Sequence, residues 1–198
     1  MKEIETTISV YERLRAKQYR ITIPELGESF LLCFKPEHYH HLAGFQYLTD
    51  LPDIADCPKG SKHFYRLLKN GTYQEKALKN SIHFSDIAER IFFFPAMEDI
   101  LSNSPAKIIV SFDNVKAKSL IHAEFYLFKR NGIPLKGDSV TYCNLFIDRD
   151  AETGIFYPVT FIVEHSTQYI HDQTLYDCTI EEIPVTRRTR RIPIATSP

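Results

Sequence analysis

The sequence lacks most of the features that would assign it by inspection. Its formal net charge is −1 over 198 residues, so the chain as a whole exerts no electrostatic pull on nucleic acid, and any such binding must come from a local patch. Its four cysteines, Cys33, Cys57, Cys143 and Cys178, form no C-x-x-C pair, which argues against a zinc knuckle or a thioredoxin-type centre. Cys33 and Cys143 fall inside apolar strand patterns and read as small core residues. No stretch reaches the roughly 18 consecutive apolar residues of a membrane span. The opening "MKEIETTISV" has no basic stretch followed by an apolar segment, as a secretory leader would. These absences lead to the expectation of a cytoplasmic protein with no membrane partner. Internal repeats, low-complexity tracts and the H-E-x-x-H spacing are also missing.

What is present suits a single folded unit: 43% of residues are hydrophobic and 25% charged, enough to bury a sizeable core. From Glu3 to Lys17, Ile4, Ile8, Tyr11 and Leu14 recur on one helical face. "YRITIP" and "SFLLCF" read as strands joined by a turn at Gly27, and Pro36 then opens a helix with Leu42, Phe45 and Leu48 on its apolar side. Helices follow from Ser61 to Gly71, from a capping box at Thr72 and Glu75, from Ser85 to Phe93, and over "AMEDILS". Beyond Pro105 the period becomes two, in "KIIVSF", "SLIHAEFYLFKR", "VTYCNLFID", "GIFYPVTFIVEH" and "LYDCTIEEIPV". The fold class expected is α+β, with N-terminal helices packed on an antiparallel β-sheet meander, because short connections join antiparallel neighbours. One domain is expected over residues 1–184, followed by an Arg-rich tail over 185–198. In that tail "TRRTRR" offers Arg187, Arg188, Arg190 and Arg191 as nucleic-acid contacts, with a solvated tail as the plainer alternative.

The segment "KPEHYHHLAGF" concentrates three of the eight histidines at a strand-to-helix junction. As a metal site it is incomplete. His38 and His40 share a face of a strand, and His38 and His41 share a face of a helix, so either geometry supplies two ligands and needs a third from Glu37, His122, Glu124 or His165. As an acid/base pair it needs no metal: one neutral and one protonated imidazole can take a proton from a 2′-hydroxyl and return one to a departing 5′-oxygen. A helix start also favours a bound phosphate, and Lys35 stands just before this one. Exposed histidines of no function are the plainer alternative. In the sheet, His122, Glu124 and Tyr126 alternate with apolar residues and so share a strand face, and Thr160 puts a hydroxyl into an apolar run.

"FKPEHYHHLAGF", with its His-Leu-x-Gly core, and the late strand "FYPVTFI" together resemble the phage and mobile-element branch of the barnase/EndoU/colicin/RelE-like nuclease superfamily, in particular its fourth group. The likeness runs from about Tyr19 to Pro184. It implies a metal-independent endoribonuclease without cofactor, acting as a toxin or in conflict between mobile element and host, with RNA as substrate and an antitoxin or immunity protein as partner. His41 matches the histidine of His-Leu-x-Gly, and Tyr157 and Thr160 match the polar positions of Tyr-Pro-x-Thr. His40 and His122 as a second imidazole, and Lys35 as a phosphate ligand, are added from the chemistry of the residues alone. Families of this fold vary their catalytic residues. Two other functions therefore stay open: a non-catalytic module binding protein or RNA, and a metal-dependent hydrolase built on the histidines.

Overall fold

A computed structural model describes residues 3–102, 106–131 and 140–185. Arg187, Arg188, Arg190 and Arg191 lie outside the described residues. The first helix, α1 (Glu3–Arg15), buries Ile4, Thr7, Val10, Tyr11 and Leu14 on the face its periodicity marks out. Strands β1 (Lys17–Ile23) and β2 (Glu28–Cys33) form an antiparallel hairpin whose turn closes on Gly27 at φ +66°. Short helical pieces follow: a 3-10 turn at Pro36–His38, α2 (Tyr39–Ala43), a second 3-10 turn at Phe45–Tyr47, and α3 (Pro52–Ala55). Then come α4 (Ser61–Lys69), α5 (Glu75–Lys79), α6 (Phe84–Phe93) and α7 (Ala96–Ser102). The remaining strands are β3 (Ala106–Val110), β4 (Phe125–Asn131), β5 (Thr141–Arg149), β6 (Phe156–Glu164) and β7 (Leu175–Pro184).

The α+β class holds, but the sheet is a closed barrel in the order β1-β2-β6-β5-β4-β3-β7 and not a simple meander. The run β3 to β6 does fold back and forth between neighbours. Strand β7 then leaves β6 and lies between β3 and β1, antiparallel to both. Closure comes from one parallel register, Leu32 opposite Phe156, between β2 and β6. Closing the sheet leaves no long edge open to another chain. Beyond that single pair β2 ends, and helix α2 packs against β6 instead of a strand.

One sheet face joins the helices in the main core, where Phe30 stacks on Phe125 with ring centroids 4.3 Å apart and lies 4.4 Å from Phe156. The opposite face of β3 to β6 carries a second cluster, in which Tyr126, Phe146 and Ile109 are covered by Phe112, Ala117 and Tyr169 from two connecting loops. Strand β5 is therefore buried on both faces. This arrangement corrects the expected strand "SLIHAEFYLFKR". Pairing begins only at Phe125, and the preceding loop lays Ile121 and Ala123 over the second cluster. His122, Glu124 and Tyr126 do not form one exposed strand face: Tyr126 is fully buried and donates to Asn144 Oδ1 at 2.5 Å.

Candidate active site

The histidine segment is fixed before it can do any chemistry. Pro36 sets the first turn with a φ already suited to helix, and the carbonyl of Lys35 accepts the Tyr11 hydroxyl at 2.6 Å. Tyr39, wholly buried, bonds the Thr7 hydroxyl at 2.6 Å. Two bonds from α1 thus clamp the turn from behind. Its C-terminal end closes at Gly44, φ +83°.

The three imidazoles then have three different environments. His40 faces inward at 3% exposure, its Nε2 donating to the Ile54 carbonyl at 2.7 Å and its ring edge-on to Phe64 at 5.3 Å. It serves as packing and as a strut to α3, and burial pushes its pKa below the ordinary value. His38 accepts the Lys35 backbone N–H on Nδ1 at 3.2 Å, which leaves the ring proton on Nε2. Its ring lies 5.3 Å from that of Tyr157, tilted by 32°. Burial, against the opposing charge of Glu37, holds His38 down to about 4, and Lys35 and His41 add to the depression. His41 is exposed. Partial burial and then the Arg90 guanidinium lower its pKa from the usual imidazole value.

Arg90 comes from α6, whose other buried positions, Ile87 and Ile91, are apolar. At 9% exposure it donates from Nη1 to the His41 carbonyl at 3.2 Å, and its guanidinium sits 5.3 Å over the exposed Tyr47 ring. Buried arginines are ordinarily paired with an acid, yet no carboxylate among the described residues forms an ion pair with this one. The electrostatic neighbours that oppose its desolvation are the phenols of Tyr47 and Tyr169.

Strand β6 packs against the histidine turn. Tyr157 and Thr160 are three residues apart, and a regular strand would point them to opposite faces. A bulge resets the alternation: Phe146 pairs with Thr160 and Ile147 with Pro158, so Val159 has no partner. Phe156, Pro158 and Phe161 then face the core, and Tyr157 and Thr160 share the other face. Partial burial, with Asp148 and Asp150 nearby, raises the Tyr157 phenol and keeps it protonated. Thr160 is half-buried opposite Phe146, whose ring is 5.3 Å from that of Tyr169.

The packing of the turn on β6 thus brings His38 against Tyr157, which is distant in sequence. Lys35 stands at the head of the turn with its side chain in a neighbouring groove. His122 is elsewhere, in the loop before β4, with Asn114 Nδ2 at 3.4 Å from its Nδ1. Sequence reasoning gave no acid/base role to His38 and did not single out Arg90. The signal for His38 was its i, i+3 spacing from His41, and for Arg90 a lone charge on the apolar side of α6. Among the described residues, no group of three or more His, Cys, Asp or Glu is placed to hold a metal ion.

A family model described as phage-Barnase-EndoU-ColicinE5/D-RelE like nuclease4 matches residues 3–183. No curated protein and no solved structure matches the chain.

Proposed function

The chain belongs to the phage-Barnase-EndoU-ColicinE5/D-RelE like nuclease4 family, and from that premise we propose that it is a metal-independent endoribonuclease working at the cleft between the histidine turn and β6. His41 is the general base. With its pKa lowered it is neutral at neutral pH, so it can take the proton of a 2′-hydroxyl. The 2′-oxygen then attacks the adjacent phosphorus, the P–O5′ bond breaks, and the leaving 5′-oxygen takes a proton from the Tyr157 phenol. The products are a 2′,3′-cyclic phosphate and a free 5′-hydroxyl. His38, neutral with its proton on Nε2, donates a hydrogen bond to the phosphate, and Thr160 and Lys35 hold its oxygens. Arg90 supplies fixed positive charge where negative charge develops. His40 and His122 take no part: the first is sealed inside, and the second belongs to another loop.

The observation that carries this reading is Arg90, a nearly buried guanidinium without an acid partner among the described residues, set behind the exposed imidazole of His41. Purified protein is assayed on end-labelled RNA in EDTA. Wild type is expected to cut and to leave cyclic phosphate ends, a 2′-deoxy substitution at the cut site to block it, and His41→Ala to lower turnover by roughly 10²- to 10⁴-fold. Intact tRNA, rRNA and mRNA at high protein concentration would refute the proposal and leave an RNA- or protein-binding module on the same scaffold. A nuclease deployed as a toxin needs an antitoxin or immunity protein that covers the cleft, and co-expression rescue is the way to find it.

A further inference from the structure

Beside the histidine turn lies a concavity of which the cleavage chemistry uses only Lys35, at its rim. Its walls come from the end of α1 and start of β1 (Arg15, Lys17), the head of the turn (Lys35), the start of α4 (Lys62), and Ile155 and Val185. It measures about 450 Å³, within the roughly 300–1,000 Å³ of ordinary ligand sites. Among the described residues, four basic side chains line it and no acidic one does. Lys17 keeps Glu182 at 2.5 Å and Arg15 keeps Glu12 at 2.6 Å, whereas Lys35 and Lys62 have no ion-pair partner among the described residues. Asp150 is the carboxylate that feels Lys35.

We infer that this groove holds the phosphate backbone of a single-stranded RNA beside the cut site, an inference that rests on the ribonuclease reading above. Three features favour a strand over a lone anion. The cations come from four separate segments around the groove, so a polyanion passing along it can meet them in turn. Phe34, Pro36, Ile155 and Val185 supply apolar wall for sugar and base. The groove also adjoins the histidine turn: Lys35 and Pro36 line it, Lys35 lies three residues before His38, and α4, which carries Lys62, packs on that turn. At the other end, Val185 is followed in the sequence by "TRRTRR".

The test uses the full chain and a fluorescent 2′-O-methyl RNA oligonucleotide, which cannot be cut because its 2′-oxygens are masked. Anisotropy titrations across a salt series give affinity and the number of phosphate contacts together. Lys62→Gln is expected to weaken binding and to lower the slope of log K against log salt by about 0.7, the value for one single-strand contact. The Lys17→Gln, Lys62→Gln pair is expected to lower it by about twice that. Lys107→Gln, on β3 and paired with Asp177, controls for a general loss of charge, and thermal melting confirms that each variant is folded. If Lys62→Gln and the double variant behave as Lys107→Gln does, the groove is not the RNA path, even if the wild type cleaves RNA; a basic groove of that kind would suit an acidic protein surface. If the slope falls as expected but RNA is never cut, the groove assignment stands and the ribonuclease reading falls.

Discussion

Adding one methyl group at Gly44 tests the placement of Arg90 under the histidine helix, and a second glycine provides the control. Gly44 ends α2 at φ +83°, a conformation that costs an L-residue roughly 1–2 kcal/mol. A Cβ there would stand 2.9 Å from Ile87 Cγ2, 3.1 Å from Arg90 Cδ and 3.2 Å from Arg90 Nη1. Crowding of that kind in a packed interior adds about 1–3 kcal/mol. Gly27, in the β1–β2 turn, has a similar φ of +66° but nothing within 4 Å of its added Cβ. Gly27→Ala therefore carries the backbone term alone, about 1–2 kcal/mol, and Gly44→Ala about 2–5 kcal/mol. Urea titration of the purified protein should rank the midpoints wild type, Gly27→Ala, Gly44→Ala. For a chain of this size each kcal/mol corresponds to a melting shift of about 2–4 °C, so thermal melting should give the same order. Folded Gly44→Ala should also cleave more slowly, because the methyl group displaces the guanidinium beside His41. Coincident midpoints for the two variants would mean that α6 does not press against the end of α2. The arrangement of Arg90 that carries the proposed function would then be wrong.

Two further outcomes separate the roles of the neighbouring histidines. His40→Leu removes the donor to the Ile54 carbonyl and should lower unfolding free energy by about 1–3 kcal/mol, while the pH profile of cleavage keeps its shape; a displaced profile would mean that His40 exchanges protons during turnover. His38 is held down to about 4 in the folded protein, so the unfolded chain binds the extra proton first, and stability is retained above pH 6.5 and falls as the pH drops toward 4. Between pH 6.5 and 5, above most carboxylate titrations, His38 alone should account for about 1.5–2 kcal/mol of that loss, and His38→Gln should flatten the curve. A wild-type unfolding free energy that stays level over this range would show that the imidazole is not buried as described.

Local periodicity made the helices legible. The apolar positions of α1 mark Glu3–Arg15 almost to the residue, and "AMEDILS" becomes α7. Strand positions were legible too, but not their partners, because pairing depends on contacts between segments far apart in sequence. Nothing in "LYDCTIEEIPV" indicates that it pairs with β1 and β3 and not with β6. Alternation also misleads where a loop lies across apolar side chains: Ile121 and Ala123 touch the second cluster every other residue, as a strand would. The expected capping box at Thr72 and Glu75 is absent, because the Glu75 carboxylate is drawn to Lys79 at 2.9 Å and the Ile4 N–H at 3.3 Å, and Gln74 becomes the N-cap.

Reading the candidate site was limited in the same way. Helical geometry separates His40 from its neighbours and keeps His38 and His41 on one side, so the division of labour within "HYHH" follows from the backbone once the helix is accepted. Which side faces inward is decided by Phe64, Ile54 and Arg90, all supplied by later elements. Tyr157 and Thr160 were linked by motif, while strict alternation would have placed them on opposite faces; the unpaired Val159 resolves that conflict. A bulge also gives up a ladder position in a strand that otherwise pairs regularly with β5. In a barrel that closes through a single β2–β6 register, irregularity and the absence of a strand partner therefore fall on the same stretch of β6, the stretch that meets the histidine turn. The barrel closes by that one register, and past it the turn carrying His38 and His41 packs on β6 in the place where a longer β2 would have paired.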